Sequence, residues 1–253
     1  MIATILKTAE CRVWWADPWQ QTVETLTSVL SEPELDRAAR FHREQDRRRF
    51  LTGSWLLRTV AATQLGTSPE DVQIERRCPD CPKPHGKPYV RTGGVPLHVS
   101  VSHSGNRVVV GVTTAGPLGV DVEEVPAAPV DELAECALSP SELELLDAVP
   151  AYDRHAAFAR VWVRKEAVLK ATGHGLRIPP DEVLVSGPDE APALLGWPLD
   201  VPPESVRLRT LDPGPGYVGA VAVVSGAQVI TLSESHAPDL VEVSHAYTLP
   251  AAA

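Results

Sequence analysis

Apolar residues between positions 46 and 65 recur near a 3.6-residue period, through Phe50, Leu51, Leu57 and Ala61, with Ser54 on the same stripe. This predicts a helix from about Asp46 to Leu65, ended by Gly66 as a left-handed cap. Upstream, Ser31 followed by Pro33 and Glu34 predicts the capped start of a shorter helix through LDRAARF. The period changes to two in LHVSVS and RVVVGVT, where alternating valines predict adjacent antiparallel strands joined at His103-Ser104-Gly105-Asn106. TAGPLG reads as a second turn, leading into GVDVEEV as a third strand. An early strand is expected around Ile5, Val13 and Trp15, followed by an amphipathic segment up to residue 30. A helix-rich stretch is expected from Ser139, an N-cap before Pro140, to Thr172, where Gly173 and Gly175 break it. Strands with many prolines follow, YVGAVAVVSG being the clearest, and then a polar, alanine-ended tail. No internal repeat shows at the level of residue identity, yet both halves read as helix plus sheet. The expectation is an α+β chain of two similar-sized lobes, 1–116 and 117–232, with a tail over 233–253.

Composition narrows the function classes. The 253 residues are 43% hydrophobic and 22% charged, ordinary for a globular chain able to bury a core. No apolar run approaches the roughly 18 residues that a membrane span needs, and the first fifteen residues do not read as a signal peptide. A cytoplasmic protein without membrane contact is expected. A net charge of −10 argues against nucleic acid as the main partner, while leaving room for a local basic pocket. Lysine is scarce, 5 residues against 18 arginines, and three of the five, Lys87, Lys165 and Lys170, fall in segments with candidate chemistry. Cys78-Pro-Asp-Cys81 with His85 has the look of part of a zinc knuckle. No fourth ligand stands nearby, so the segment reads as a loop carrying two thiols and no zinc is expected.

Two acidic segments carry the chemistry. In Gly119-Val120-Asp121-Val122-Glu123-Glu124-Val125, a strand puts Asp121 and Glu123 on one face and Val120 and Val122 on the other. Adjacent carboxylates repel unless a cation joins them, and hard oxygen ligands suit Mg²⁺. Taken alone, this pair is better explained by a solvated strand edge. In WVRKEAVLKATGHG, a helix puts Trp162, Glu166 and Lys170 at i, i+4 and i+8 on one face, and Val161, Val168 and Leu169 on an apolar side. Glu166 and Lys170 alone could be an exposed ion pair worth about 0.3–0.5 kcal/mol. Together, three carboxylates and an ammonium suit a phosphoryl-type transfer.

These segments in this order resemble the Sfp-type (group II) 4′-phosphopantetheinyl transferase family. LGVDVE and, some forty residues later, WVRKEAVLK match its signature. RFHREQDRRRFLTGSWLLR, HGKPYV and HVSVSHSG are similar to its N-terminal helix, its GKP loop and its SHS segment, so that ordered similarity runs from Arg37 to Ile178. The resemblance implies two α+β lobes related by pseudo-twofold symmetry, with the active site in the cleft between them. It implies transfer of the phosphopantetheine arm of coenzyme A to a serine of an apo acyl or peptidyl carrier protein, with 3′,5′-ADP released. It implies Mg²⁺, or Mn²⁺ in its place, held by Asp121, Glu123 and Glu166. Glu166 would also deprotonate the serine, and Lys170 would stabilise charge on the diphosphate. Ser102 and His103 would meet a coenzyme A phosphate, Gly86, Lys87 and Pro88 the adenine and 3′-phosphate, and Arg49 a phosphate. Arg37 is a weaker candidate for the 3′-phosphate. Members of this length usually act as monomers, in polyketide, nonribosomal-peptide or fatty-acid synthesis. The segment from Cys78 to His85 before the GKP loop, and Phe50 where relatives carry a small hydroxyl residue, depart from the pattern. Two rivals remain: a Mg²⁺-dependent nucleotide or phosphate-ester hydrolase using the same carboxylates, and a carrier-binding module that has lost its chemistry.

Overall fold

The alternating valines build two sheets, each covered on one face by a long helix. The computed structural model describes residues 5–77, 81, 86–227 and 229–237, without the side chain at position 77. Cys78 and His85, the outer members of the zinc-knuckle pattern, lie outside the described residues. The first half contains β1 (Glu10–Ala16), α1 (Val23–Thr27), α2 (Glu32–Ala38), α3 (Glu44–Leu65), β2 (Ile74–Arg77), β3 (Lys87–Val90), β4 (His98–Ser104) and β5 (Arg107–Thr113). The second contains β6 (Leu118–Glu124), α4 (Asp131–Ala137), α5 (Pro140–Asp147), α6 (Arg154–Thr172), β7 (Leu184–Val185), β8 (Leu194–Gly196), β9 (Val206–Leu211), β10 (Tyr217–Val224) and β11 (Thr231–His236).

The two halves repeat one topology. A first strand is followed by a long helix and then by two strands, the last of which inserts beside the first. This gives the orders β1-β5-β4 and β6-β10-β9, every pair antiparallel. The repeat exists in connectivity although none shows in residue identity.

Alternation then assigns each face of each strand. Trp14 and Ala16 join the core under α3, whereas Cys11, Val13 and Trp15 of the same strand join a second core between the two sheets. On β6, Leu118, Val120 and Val122 enter that inter-sheet core, so Gly119, Asp121 and Glu123 face α6. The order of layers is therefore helix, sheet, sheet, helix, with a third core under α6.

Local signals behave as expected at most ends. Ser31 and Glu34 form a capping box on α2, and Glu34 also takes a 2.7 Å hydrogen bond from Arg58 of α3. Gly66 ends α3 and Gly173 ends α6, at φ 66° and 77°. The helix-rich stretch from Ser139 to Thr172 is two helices, α5 and α6, with Pro150 in the break, and α4 precedes it. Ile5 lies outside β1 and is 73% exposed. GVDVEEV does not extend the β4–β5 hairpin. Gly116, at φ 150°, turns the chain at the backbone of Val224, and β6 starts the other sheet. Residues 231–236, which the sequence reading divides between the second lobe and the tail, form β11, a parallel strand beside β1 in the first sheet.

Candidate active site

The acids meet because α6 lies directly on β6. Gly119 allows it: a Cβ there would stand 1.9 Å from the carbonyl oxygen of Ala167. Asp121, only 1% exposed, then faces the helix. Its Oδ1 accepts from Lys170 Nζ at 2.5 Å and from Ser102 Oγ at 2.8 Å, and Lys170 Nζ also donates to Ser102 Oγ at 3.0 Å. Glu166 Oε2 lies 4.0 Å from the same ammonium. Asp121 Oδ2 and Glu166 Oε1 are buried with no hydrogen-bond partner.

Electrostatics agree with this crowding. Burial, and then the charge of Asp121, pushes the Glu123 carboxyl above its ordinary value, against hydrogen bonding from Ser104 and Trp162. Burial also raises Glu166; Lys170 opposes this, while Asp121 and Glu123 add to it. For Lys170, burial works against the charged form, but Asp121, Glu166 and Glu123 outweigh it and hold the amine above its usual value. The cluster thus has three carboxylates and one ammonium, and two of its oxygens are unsatisfied. That donor set, oxygen-only and short of positive charge, fits a hard divalent cation such as Mg²⁺. Among the described residues no three His, Cys, Asp or Glu side chains are already drawn together as a metal centre.

Strand β4 brings the first lobe to this place. Its alternate serines share a face toward β6: Ser100 Oγ accepts from Val120 N–H at 3.0 Å, Ser102 donates to Asp121, and Ser104 Oγ accepts from Glu124 N–H at 3.1 Å. Ser102 is the named member of this row; Ser100 and Ser104 were legible only as the same period-two pattern. His103 projects on the opposite side and is exposed. Protein packed around its ring, and then the charges of Lys170 and Arg49, hold the imidazole below its ordinary value. Arg49 reaches this turn from α3, its Nε donating to the Gly105 carbonyl at 2.7 Å and its Nη1 to Asp46 at 2.9 Å.

Two cavities with arginines in their walls adjoin. One, of about 450 Å³, is lined by Gly86, Lys87 and Pro88 together with Lys170, His174, Arg177 and Arg76. Within it the Lys87 ammonium points to backbone carbonyls of Leu118, Lys170 and Ala171. The other, of about 730 Å³, has Arg37 stacked 5.0 Å over Phe50, with Arg40 and Phe41 beside it, and Glu32, Glu34 and Asp36 in the same wall, so its charge is mixed. Arg76 lines both, and burial followed by repulsion from Arg37 lowers it to about 10. In sequence Arg76 carries no signal, since Arg76-Arg77 ahead of a loop looks like any solvated pair. A third cavity, of about 410 Å³ and mainly apolar, runs from Glu123 past Trp162 and Phe158 to Leu133 and Cys136.

Both halves of the chain resemble known proteins. Residues 117–222 match the 4′-phosphopantetheinyl transferase superfamily, and residues 13–115 match the model described as 4′-phosphopantetheinyl transferase, N-terminal. The chain is 32% identical over 215 residues to the 4′-phosphopantetheinyl transferase HetI of Nostoc sp., covering 83% of this chain and 86% of that one. The chain belongs to the 4′-phosphopantetheinyl transferase family. It is also 33% identical to a putative transferase of this kind from Synechocystis sp., over 68% of this chain and 71% of that one. With the Sfp transferase of Bacillus subtilis it shares 26% identity over 77% and 83% of the two chains. In this transferase the two matched segments meet between positions 115 and 117, where the chain leaves the first sheet for the second.

Proposed function

We propose that the chain transfers the 4′-phosphopantetheine group of coenzyme A to a serine of an apo acyl or peptidyl carrier protein. The serine oxygen forms the new P–O bond, the P–O bond of the diphosphate breaks, and 3′,5′-ADP leaves. What supports this reading most is the joining of Asp121, Glu123, Glu166 and Lys170 beside two arginine-lined cavities, in a chain of this family. Asp121, Glu123 and Glu166 would hold Mg²⁺ (or Mn²⁺), which when bound neutralises the diphosphate.

Glu166, with its carboxyl held above the ordinary range, is the group to take the serine proton. Lys170 then turns from Asp121 toward the diphosphate as negative charge moves to the leaving oxygen. His103 meets a phosphate at the end of β4, where Arg49 supplies positive charge, while Ser102, on the other face of the strand, stays with Asp121 and Lys170. Gly86 and Pro88 receive the adenine, and Arg37, in the neighbouring cavity that shares Arg76, is the weaker candidate for the 3′-phosphate. The carrier docks on the apolar cavity between Leu133 and Trp162, which leads to Glu123. The protein works as a cytoplasmic monomer, serving polyketide, nonribosomal-peptide or fatty-acid synthesis; no described helix is long and apolar enough to cross a membrane.

The test is mass spectrometry of apo carriers after incubation with the protein, Mg²⁺ and coenzyme A. Transfer adds about 340 Da, the mass of the group that the reaction moves. No added mass across a panel of acyl and peptidyl carriers would overturn the reading. Coenzyme A breakdown in the absence of a carrier would point instead to a hydrolase, and tight carrier binding without coenzyme A or metal to a binding module.

A further inference from the structure

The family resemblance assigns Lys87 to the coenzyme A pocket, and its stem does line that cavity. Its ammonium, however, is engaged elsewhere. Nζ donates to the carbonyl oxygens of Leu118 at 2.8 Å, Lys170 at 2.7 Å and Ala171 at 2.6 Å, which uses the whole donor capacity of an ammonium. Leu118 opens β6, while Lys170 and Ala171 lie in the last turn of α6. Carbonyls of a last helical turn have no partner within the helix, and a cation there also meets the negative end of the helix dipole. Lys87 comes from β3 of the first lobe, so one side chain of that lobe closes a junction between two elements of the other.

We propose that Lys87 is a positioning residue that fastens the end of α6 to the start of β6, fixing the helix backbone that carries Glu166 and Lys170 relative to the strand that carries Asp121, and that it is not a ligand of a coenzyme A phosphate. The inference concerns the transferase site described above and rests on that reading for its kinetic part. The neighbouring geometry leaves the junction little play. Beside Leu118, a Cβ on Gly119 would stand 1.9 Å from the Ala167 carbonyl oxygen and 2.4 Å from the Ala171 nitrogen, so helix and strand backbones already touch. Lys170 is held at both ends, its carbonyl by Lys87 and its ammonium by Asp121 and Ser102. Burial lowers the Lys87 amine to about 8, and the charge that remains is met by carbonyl dipoles. A shift of about 1 Å in such a constellation is enough to cost on the order of a hundredfold in rate.

Two measurements decide it. The first uses the wild-type protein without coenzyme A: brief acetylation with an amine-reactive ester, read by peptide mass spectrometry. Lys87 is expected to react at least about tenfold more slowly than the exposed Lys7, with no further protection when coenzyme A is added. A Lys87 that reacts as fast as Lys7 and is shielded by coenzyme A overturns the proposal. The second compares Lys87→Met and Lys87→Arg with the wild type, using coenzyme A and 3′-dephospho-coenzyme A as donors. Lys87→Met is expected to lower kcat about tenfold or more with both donors, with KM within about threefold and the preference between donors unchanged. Lys87→Arg should recover part of kcat. A raised KM for coenzyme A with kcat retained, and a collapse of the preference for the 3′-phosphate, would instead make Lys87 a phosphate ligand. Should the wild type modify no carrier, the transferase reading fails, and the acetylation pattern still decides where the Lys87 amine resides. Acetylation of the wild type likewise decides the matter if Lys87→Met does not fold.

Discussion

Glu123 and Glu166 occupy positions where charge is costly, because burial and neighbouring carboxylates both raise their pKa values above the usual 4.5. A carboxyl raised on folding favours the folded state while protonated and loses that contribution as pH rises through its folded value. The metal-free protein should therefore lose stability as pH climbs above about 4.5, and Mg²⁺ should restore it. Urea denaturation at several pH values, with and without the ion, measures this. Glu166→Gln should flatten the pH response and abolish carrier modification, dividing stability from activity at one residue. The thiols give a second contrast. Cys11 is buried, and desolvation pushes it up to about 12, whereas Cys136 is exposed at the rim of the apolar cavity. Alkylation of the native protein near pH 8 should label Cys136 and leave Cys11 unmodified, as peptide mapping would reveal. Asp121 and Glu123 are readable as a pair on one face because strand alternation is local. That Ser102 hydrogen-bonds to Asp121 is not readable, since the two belong to different lobes.

At the scale of elements, α6 is fixed by two internal attachments that have no part in the chemistry. Lys165, fully buried, pairs with Glu142 of α5 at 2.6 Å and donates to the carbonyls of Pro180 and Val183 at 2.8 Å. Arg164 donates to Ser186, Pro188 and Glu190, holding the segment before β8. Lys165→Met would leave Glu142 charged and buried, and should destabilise the protein by about 3–5 kcal/mol in chemical denaturation. The sequence reading places Lys165 beside Glu166 in one motif. Glu166 faces Asp121 and Lys170, while Lys165, turned about 100° around the helix axis, faces α5 and the segment before β7. Gly119→Ala should separate β6 from α6, at about 1–3 kcal/mol of stability, and reduce transfer beyond that loss because the acids ride on the same two elements. Thermal melting and carrier modification on one preparation separate the two effects.

Across the whole molecule, the lobes are joined by more than their shared core. Strand β11 returns from the second lobe to lie beside β1, and its Glu234 accepts from the Trp15 indole at 2.8 Å and from Asp212 N–H at 3.2 Å. At the other end of the junction, the Tyr217 hydroxyl accepts from Asn106 N–H at 2.9 Å, while Arg107 stacks on its ring at 4.9 Å. Tyr217→Phe should cost about 1 kcal/mol, visible in denaturation, and should loosen the turn that carries His103. The sequence alone determined the long helices, the β4–β5 hairpin, the glycine stops and the faces bearing the acids, because side-chain periodicity and turn chemistry are properties of a few consecutive residues. Only the tertiary structure decided that β6 leaves the first sheet, that β11 joins it, and that Lys87 turns its amine to carbonyls 31 to 84 residues away. Those contacts arise from how two sheets and two helices stack, and stacking depends on which apolar faces find each other across the chain, which no local pattern specifies.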